Sequence, residues 1–248
     1  MAVVQEHEQL FNPFPWYQAM RQSRPVHFDE ERCTWNVFRY QDVQRVLTDY
    51  EAFSSQMMME GSHALSSSMI NVDPPRHRQL RSLVTQAFTP RTIARLALRV
   101  SDIVHELLDR VVAKGEMDVI DDLSYPLPVL IIAELLGVPA GDRDRFRHWS
   151  NIIAGTDDGG GYAAQQEMAE YFLALLADRR REPQDDLLSA LLAAQVDGQK
   201  LTQEELLGFC VLLLVAGNIT TTNLIGNAFL AFQQVPPALE QLYADSSL

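Results

Sequence analysis

Apolar residues along the chain recur mainly at helical spacing, and the breaks between apolar stripes carry helix start and stop signals. Asn12-Pro13-Phe14-Pro15-Trp16-Tyr17-Gln18-Ala19-Met20 opens a short first helix. Val26-His27-Phe28 and Thr34-Trp35-Asn36-Val37-Phe38 then alternate and favour strand, with a charged turn at Asp29-Glu30-Glu31-Arg32 between them, which predicts a hairpin. A short helix follows with Val43, Val46 and Leu47 on one side. From residue 73 onward the pattern is helix after helix. Asp73 followed by Pro74 and Thr89 followed by Pro90 each predict a capped start with proline in the first turn. The second of these helices runs to Lys114-Gly115, where glycine ends it. Further helices are expected over Leu127–Leu136, Asp142–Ile153, Tyr162–Arg181 and Asp185–Gln195, with a turn at Asp197-Gly198. The last helix starts in a capping box, Thr202-Gln203-Glu204-Glu205, and continues to Gln234, before Pro236-Pro237. At 1.5 Å per residue it is roughly 50 Å long. It is apolar almost all round from Phe209 to Ala216, which predicts a course through the middle of the protein. The fold class is therefore mainly α, with a small hairpin near the N-terminus.

Two segments interrupt this pattern. Ser54–Asn71 holds six serines, Gly61 and Met57-Met58-Met59, and reads either as a functional loop or as a surface loop. Gly155-Thr156-Asp157-Asp158-Gly159-Gly160-Gly161 is a flexible break.

Local rules are broken in two helices. In the one starting at Asp73, His77, Leu80, Arg81, Val84, Ala87 and Phe88 share a face, so two basic residues sit one turn apart in an apolar stripe while Arg78 points away. Buried cations need an anion. Either both snorkel to water or pair with a carboxylate of the chain, or they form an anion site for a cofactor carboxylate or phosphate. In the long helix, Gly217-Asn218-Ile219-Thr220-Thr221-Thr222-Asn223 is a run of poor helix formers in an otherwise apolar element. Weakness at the centre of a buried helix marks either a functional site or a kink that helps packing.

Composition narrows the function classes. The 248 residues carry 20 basic and 33 acidic side chains, a net charge of −13, with 47% hydrophobic and 21% charged residues. That is the make-up of a globular protein, and the acidity argues against nucleic acid as the main partner without excluding a local basic patch. Cys33 and Cys210 are far apart, so neither a disulfide framework nor a zinc site is expected. The N-terminus lacks the pattern of a signal peptide. No apolar run approaches the roughly 20 residues that span a membrane, so a cytoplasmic protein without membrane association is expected.

Taken together, these features resemble the N-terminal part of a soluble bacterial cytochrome P450, over nearly the whole chain. Asp73-Pro74-Pro75-Arg76-His77-Arg78-Gln79-Leu80-Arg81, with Ala87-Phe88-Thr89-Pro90-Arg91, is similar to the helix that binds the haem propionates. Ala216-Gly217-Asn218-Ile219-Thr220-Thr221 resembles the oxygen-binding groove of the central helix. Thr34–Tyr40 with Phe53-Ser54-Ser55 matches the early hairpin and helix. The resemblance implies residues 1–248 as one portion of a single P450-like domain around haem (iron protoporphyrin IX). His77 and Arg81 would neutralise the propionates, and Ala216, Gly217 and Thr220 would lie at the cofactor. Thr220 would supply the alcohol of the proton relay. Leu212, Val215 and Ala216 would wall the substrate pocket, and the two irregular segments would be pocket wall and access lid. It further implies a monooxygenase that uses O2, an apolar small-molecule substrate such as a steroid, terpenoid or fatty acid, and a ferredoxin- or flavodoxin-type redox partner.

The chain departs from the family pattern in three ways. The proximal cysteine loop is absent, and so is the Glu-x-x-Arg pair, which makes the sequence read as truncated and inactive by itself. Ile219 stands where the family usually carries an acid beside the threonine. The alternative from another class is a non-catalytic helical fragment or binding protein derived from the family. His27, His63, His105 and His148 stand alone and read as surface or core histidines, and no metal site is expected.

Overall fold

The computed structural model describes residues 12–56, 68–153, 161–196 and 198–245. They fall into two compact units, one up to residue 56 and one from residue 57 onward.

In the first unit, helix α1 (Phe14–Ser23) precedes an antiparallel hairpin of β1 (Val26–Asp29) and β2 (Thr34–Val37), and helix α2 (Tyr40–Thr48) follows. The hairpin register pairs Val26 with Val37 and Phe28 with Trp35. Its turn is set by the Asp29 carboxylate, whose Oδ1 accepts the Glu31 and Arg32 amides at 3.1 Å each. The predicted hairpin and flanking helices are all present. The Val43–Val46–Leu47 side of α2 is only half realised, since Leu47 is exposed.

The second unit is helical: α3 (Arg76–Ala87), α4 (Pro90–Val112), α5 (Pro126–Leu135), α6 (Arg143–Ile153), α7 (Gly161–Arg181), α8 (Leu187–Ala193), α9 (Gln203–Gln234) and α10 (Pro236–Ala244). Start signals acted as expected at α4, where the Thr89 hydroxyl accepts the Thr92 amide at 3.1 Å. They also acted at α9, where Thr202 and Glu205 each accept the other's amide. The expected start at Asp73 is corrected. The helix begins at Arg76, with no side-chain cap. A residue that precedes proline is pushed out of the α region, so Pro74, followed by Pro75, cannot be its first position. Two elements escaped the pattern: a π-helical turn over Val119–Ser124 and the helix α10, which begins at the prolines that stop α9.

The larger of two cores in the second unit joins most of its helices, and a smaller one gathers Ile103, Leu107 and Leu123. Val84 and Ala87 of α3, Ile132 and Leu136 near the end of α5, Phe146 and Trp149 of α6, Met168 and Phe172 of α7, Leu188 of α8 and Leu206, Phe209 and Leu214 of α9 are all buried in the larger one. Helix α9 is the centre, packed against α5, α6, α7 and the π turn. The end of α5 is locked in place. Gly137 has φ +73°, and a methyl there would lie 2.1 Å from Asp186 Oδ2. Asp186 caps α8 by accepting the Ser189 amide at 2.8 Å and pairs with Arg179, which donates to the Gly137 carbonyl at 2.8 Å. Only glycine fits both the conformation and the crowding.

Glu134 ties α4, α5 and α6 together. It accepts Arg99 Nε and Nη2 at 2.9 and 2.7 Å and Arg143 Nη2 at 2.6 Å. Hydrogen bonding from Arg99, then the charges of both arginines, hold its carboxyl below the ordinary glutamate range against the opposing effect of burial. A depressed carboxylate stabilises the fold above its unfolded pKa and loses that contribution as pH falls through the folded value. Glu134→Gln is therefore expected to lose about 1–3 kcal/mol at neutral pH. The deficit should shrink as pH falls below about 4, the ordinary range of an unfolded glutamate. Urea unfolding at a series of pH values checks this, and a deficit that does not change with pH contradicts it.

The helix α9 is long and apolar enough to cross a membrane by length and composition. This revises the expectation from sequence, because the helix runs unbroken through Gly217–Asn223 and joins two apolar runs into one. Leu206, Phe209–Leu212 and Leu214 of its first half are nevertheless buried among neighbouring helices.

Candidate functional site

The two rule-breaking segments lie in α3 and α9, and the starts of these helices are bonded together. Arg76 donates Nε to Glu205 Oε1 at 2.9 Å, and its Nη2 pairs with the same oxygen. The other oxygen of Glu205 closes the α9 capping box, accepting the Thr202 amide at 2.9 Å. Arg76 Nη1 also reaches Gln79 and Gln199. Arg76 was missed from sequence. In sequence it is one of several basic residues of the segment, and its partner Glu205 is marked only by the capping box.

One turn into α3, His77 is half-buried, and its Nδ1–H donates to the Met69 carbonyl at 2.9 Å. The ring is thereby oriented, and in its protonated form it keeps Nε2–H as a second donor. Arg81 is exposed and forms no salt bridge among the described residues. This corrects the expectation that both cations lie within the apolar stripe. The buried face of α3 is Leu80, Leu83, Val84 and Ala87, and Arg81 sits at its edge. Arg78 is exposed as expected.

In α9 the weak segment splits between two faces. Asn218 and Thr222, one turn apart, face inward. Asn218 Nδ2 donates to Ser150 Oγ at 2.8 Å, and the Thr222 hydroxyl donates to the Ser124 carbonyl at 3.0 Å, with Asn218 Oδ1 at 3.2 Å. Gly226, one turn further, takes Ile120 of the π turn, which would meet a methyl there at 2.8 Å. Gly217 also accommodates a neighbour, since a methyl there would lie 2.9 Å from Ile132 Cδ1. A close approach that glycine permits at this position is thus made by α5. The polar pair at i and i+4 was visible in the sequence, but nothing there told which side it faced.

The opposite face is open. Ala216, Ile219, Thr220, Asn223 and Leu224 are all exposed. The Thr220 hydroxyl donates to the Ala216 carbonyl at 2.6 Å, and Thr221 does the same to Gly217 at 2.8 Å. Upstream, Leu212 is buried and Val215 is half-buried against the core. Neither residue is among those lining a cleft of about 430 Å³ and another of about 230 Å³ in this unit.

A propionate-bearing, flat apolar macrocycle suits these residues on two counts. His77 and Arg81 offer donors with no carboxylate among the described residues, and α9 presents an uncovered surface carrying Ala216, Ile219 and Leu224 beside the Thr220 hydroxyl. Neither cysteine is placed to serve as an axial thiolate. Cys33 is exposed at the hairpin turn, and Cys210 is wholly buried in the core, where burial pushes its thiol far up. Among the described residues there is no cluster of metal-ligating side chains. His63, the methionine run at 57–59 and the glycine-rich break at 155–160 lie outside the described residues.

Comparison with known proteins gives the family. The family model "Cytochrome P450" matches residues 2–153. The putative cytochrome P450 YjiB of Bacillus subtilis is 41% identical, over 97% of this chain and 63% of its own length. Cyclomarin C epoxidase CymV of Salinispora arenicola is 39% identical, over 94% of this chain and 63% of its own length. Among solved structures, substrate-free CYP109E1 from Bacillus megaterium superposes with a TM-score of 0.89 at 39% identity, covering 96% of this chain and 65% of that one. The same enzyme in complex with testosterone matches with a TM-score of 0.85. The chain belongs to the cytochrome P450 family, and it spans less than two thirds of the length of these relatives.

Proposed function

We propose that the protein of which these residues are part is a haem-thiolate monooxygenase that inserts one oxygen atom of O2 into an apolar small molecule. The observation that carries this reading is the pairing of an oriented His77 and an exposed Arg81 on α3 with the open Ala216–Thr220 face of α9, on helices joined by Arg76 and Glu205. Haem, when bound, supplies the redox chemistry of oxygen activation. The residues of this chain do the rest. His77 and Arg81 anchor the propionates through charge-assisted hydrogen bonds. Ala216 leaves room beside the helix, and the Thr220 hydroxyl holds a proton at the groove. Leu212 and Val215 keep the helix upstream of the groove apolar and dry.

Electrons come from a ferredoxin- or flavodoxin-type partner, in the cytoplasm and without membrane attachment. Residues 1–248 form one portion of a single P450-like domain, a reading supported by matches that run through nearly the whole chain. A steroid-like substrate is favoured by the apolar groove residues and by the testosterone bound to the similar CYP109E1. Neither Cys210, sealed in the core, nor Cys33, in a hairpin turn, would supply the thiolate that holds the haem. The deciding experiment supplies the haem-loaded full-length protein with a reducing partner, isotopically labelled dioxygen and a panel of steroids, terpenoids and fatty acids. One labelled oxygen atom per product molecule is expected. Consumption of reductant without labelled product from any class contradicts the proposal.

A further inference from the structure

We propose, resting on the monooxygenase reading, that Asn218 and Thr222 are positioning residues: they fix the rotation of α9 about its own axis and so aim Ala216 and Thr220 at the haem. Among the described residues five polar side chains are buried, and four of them, Ser124, Ser150, Asn218 and Thr222, gather at one place between the π turn, α6 and α9. They lie behind the groove, on the side of α9 away from the exposed Ala216, Ile219 and Thr220.

Helix α9 needs such a device because its upstream half is apolar almost all round. An apolar side chain can be buried in more than one rotational setting, since the hydrophobic effect has no direction. Hydrogen bonds do have direction, and a buried polar group left without its partner costs its full desolvation penalty. A buried polar side chain therefore selects one setting, as a single buried asparagine selects the register of a coiled coil.

Two bonds of this group leave α9. Asn218 Nδ2 donates to Ser150 Oγ at 2.8 Å, which ties the groove segment to α6. The Thr222 hydroxyl donates to the Ser124 carbonyl at 3.0 Å. Four residues beyond Ser124 stands Pro128, which has no N–H to give that carbonyl, and Thr222 supplies the donor instead. One turn further along α9, Gly226 lets Ile120 approach, where a methyl would lie 2.8 Å away. Asn218, Thr222 and Gly226 thus form one row at i, i+4 and i+8. Turning α9 by one residue would set Ile219 against the Ser150 hydroxyl and Asn227 against Ile120, with a lost bond at the first contact and no room at the second. It would also carry Thr220 about 100° away from its present direction.

The test compares the haem-loaded full-length protein with Asn218→Leu, Thr222→Val and Ser150→Ala, which each remove one bond with little change in bulk. Thr222→Ser, which keeps the hydroxyl, is the conservative variant. The first readout is the infrared stretching band of carbon monoxide bound to the reduced haem, which senses the polar groups beside it without turnover. One narrow band is expected in the parent and in Thr222→Ser, and a shifted or split band in the other three. The second readout is steady-state product formation. In the three variants kcat should fall by up to about 10²-fold, the cost of misplacing a group by about 1 Å, with little change in KM. Ser150→Ala deletes a single oxygen from α6, so it decides the outcome even where Asn218→Leu does not fold. Lower melting temperatures with unchanged carbonyl bands and unchanged kcat would mean that the four residues hold the fold alone, and would overturn this inference while leaving the monooxygenase reading intact. A parent protein that takes up no haem would overturn both.

Discussion

Replacing Ile219 by glutamate is expected to raise the product formed per electron consumed in the haem-loaded full-length protein. Ile219 is exposed on the open face of α9, next to Thr220, whose hydroxyl already donates to the Ala216 carbonyl one turn back at 2.6 Å. Isoleucine can neither carry a proton nor order a water. Asn218, the neighbour on the other side, is turned away and committed to Ser150. On the proposed function, the groove would then rely on Thr220, Thr221 and solvent for protons. A positioned proton donor typically contributes about 10²–10⁴-fold to the step it serves. The parent protein should therefore release much of its reducing power as hydrogen peroxide, and Ile219→Glu should shift the balance towards product with little change in substrate affinity. Product and peroxide are measured per reduced nicotinamide oxidised. Tight coupling in the parent, or no gain in the variant, would mean that another group relays protons.

How much of this was legible in the sequence depends on what each signal encodes. The α9 capping box, the Thr89-Pro90 start of α4 and the glycine stop at Gly115 after it are local devices, and each appears where its residues stand. The hairpin was equally local. Helix rotation was not. The Gly217–Asn223 segment stood out because its helix propensity is poor, but propensity does not tell which of its residues face a neighbour. The structure divides it into an inward row of Asn218 and Thr222, bonded to Ser150 and Ser124, and an outward row of Ala216, Ile219 and Thr220. Packing thus accounts for the inward row, and the outward row is the one that the proposed function uses. Arg81 shows the same limit: a helical wheel put it in the apolar stripe, whereas the buried face of α3 is centred on Leu83. The Arg76–Glu205 link joins residues 129 positions apart, and no periodicity within either helix could reveal it.

The second large effect concerns the cations of α3, and it tests the central claim that α3 and the open face of α9 form the haem edge. Two propionates held by His77 and Arg81 gain charge-assisted hydrogen bonds worth about 1.5–3 kcal/mol each. Losing both predicts a fall in haem affinity of two to four powers of ten, roughly tenfold for every 1.4 kcal/mol. Leucine at both positions removes the donors and keeps comparable bulk. Because Arg81 is exposed and His77 is half-buried, the fold should survive, which circular dichroism verifies. Arg78, exposed on the same helix, is the control for a general loss of positive charge. The measurement is haem content per polypeptide after gel filtration of the full-length protein, for the parent, for His77→Leu with Arg81→Leu, and for Arg78→Leu. Full haem in the parent and the Arg78 variant, with haem lost from the double variant, is the predicted result. Equal haem content in all three proteins would contradict it.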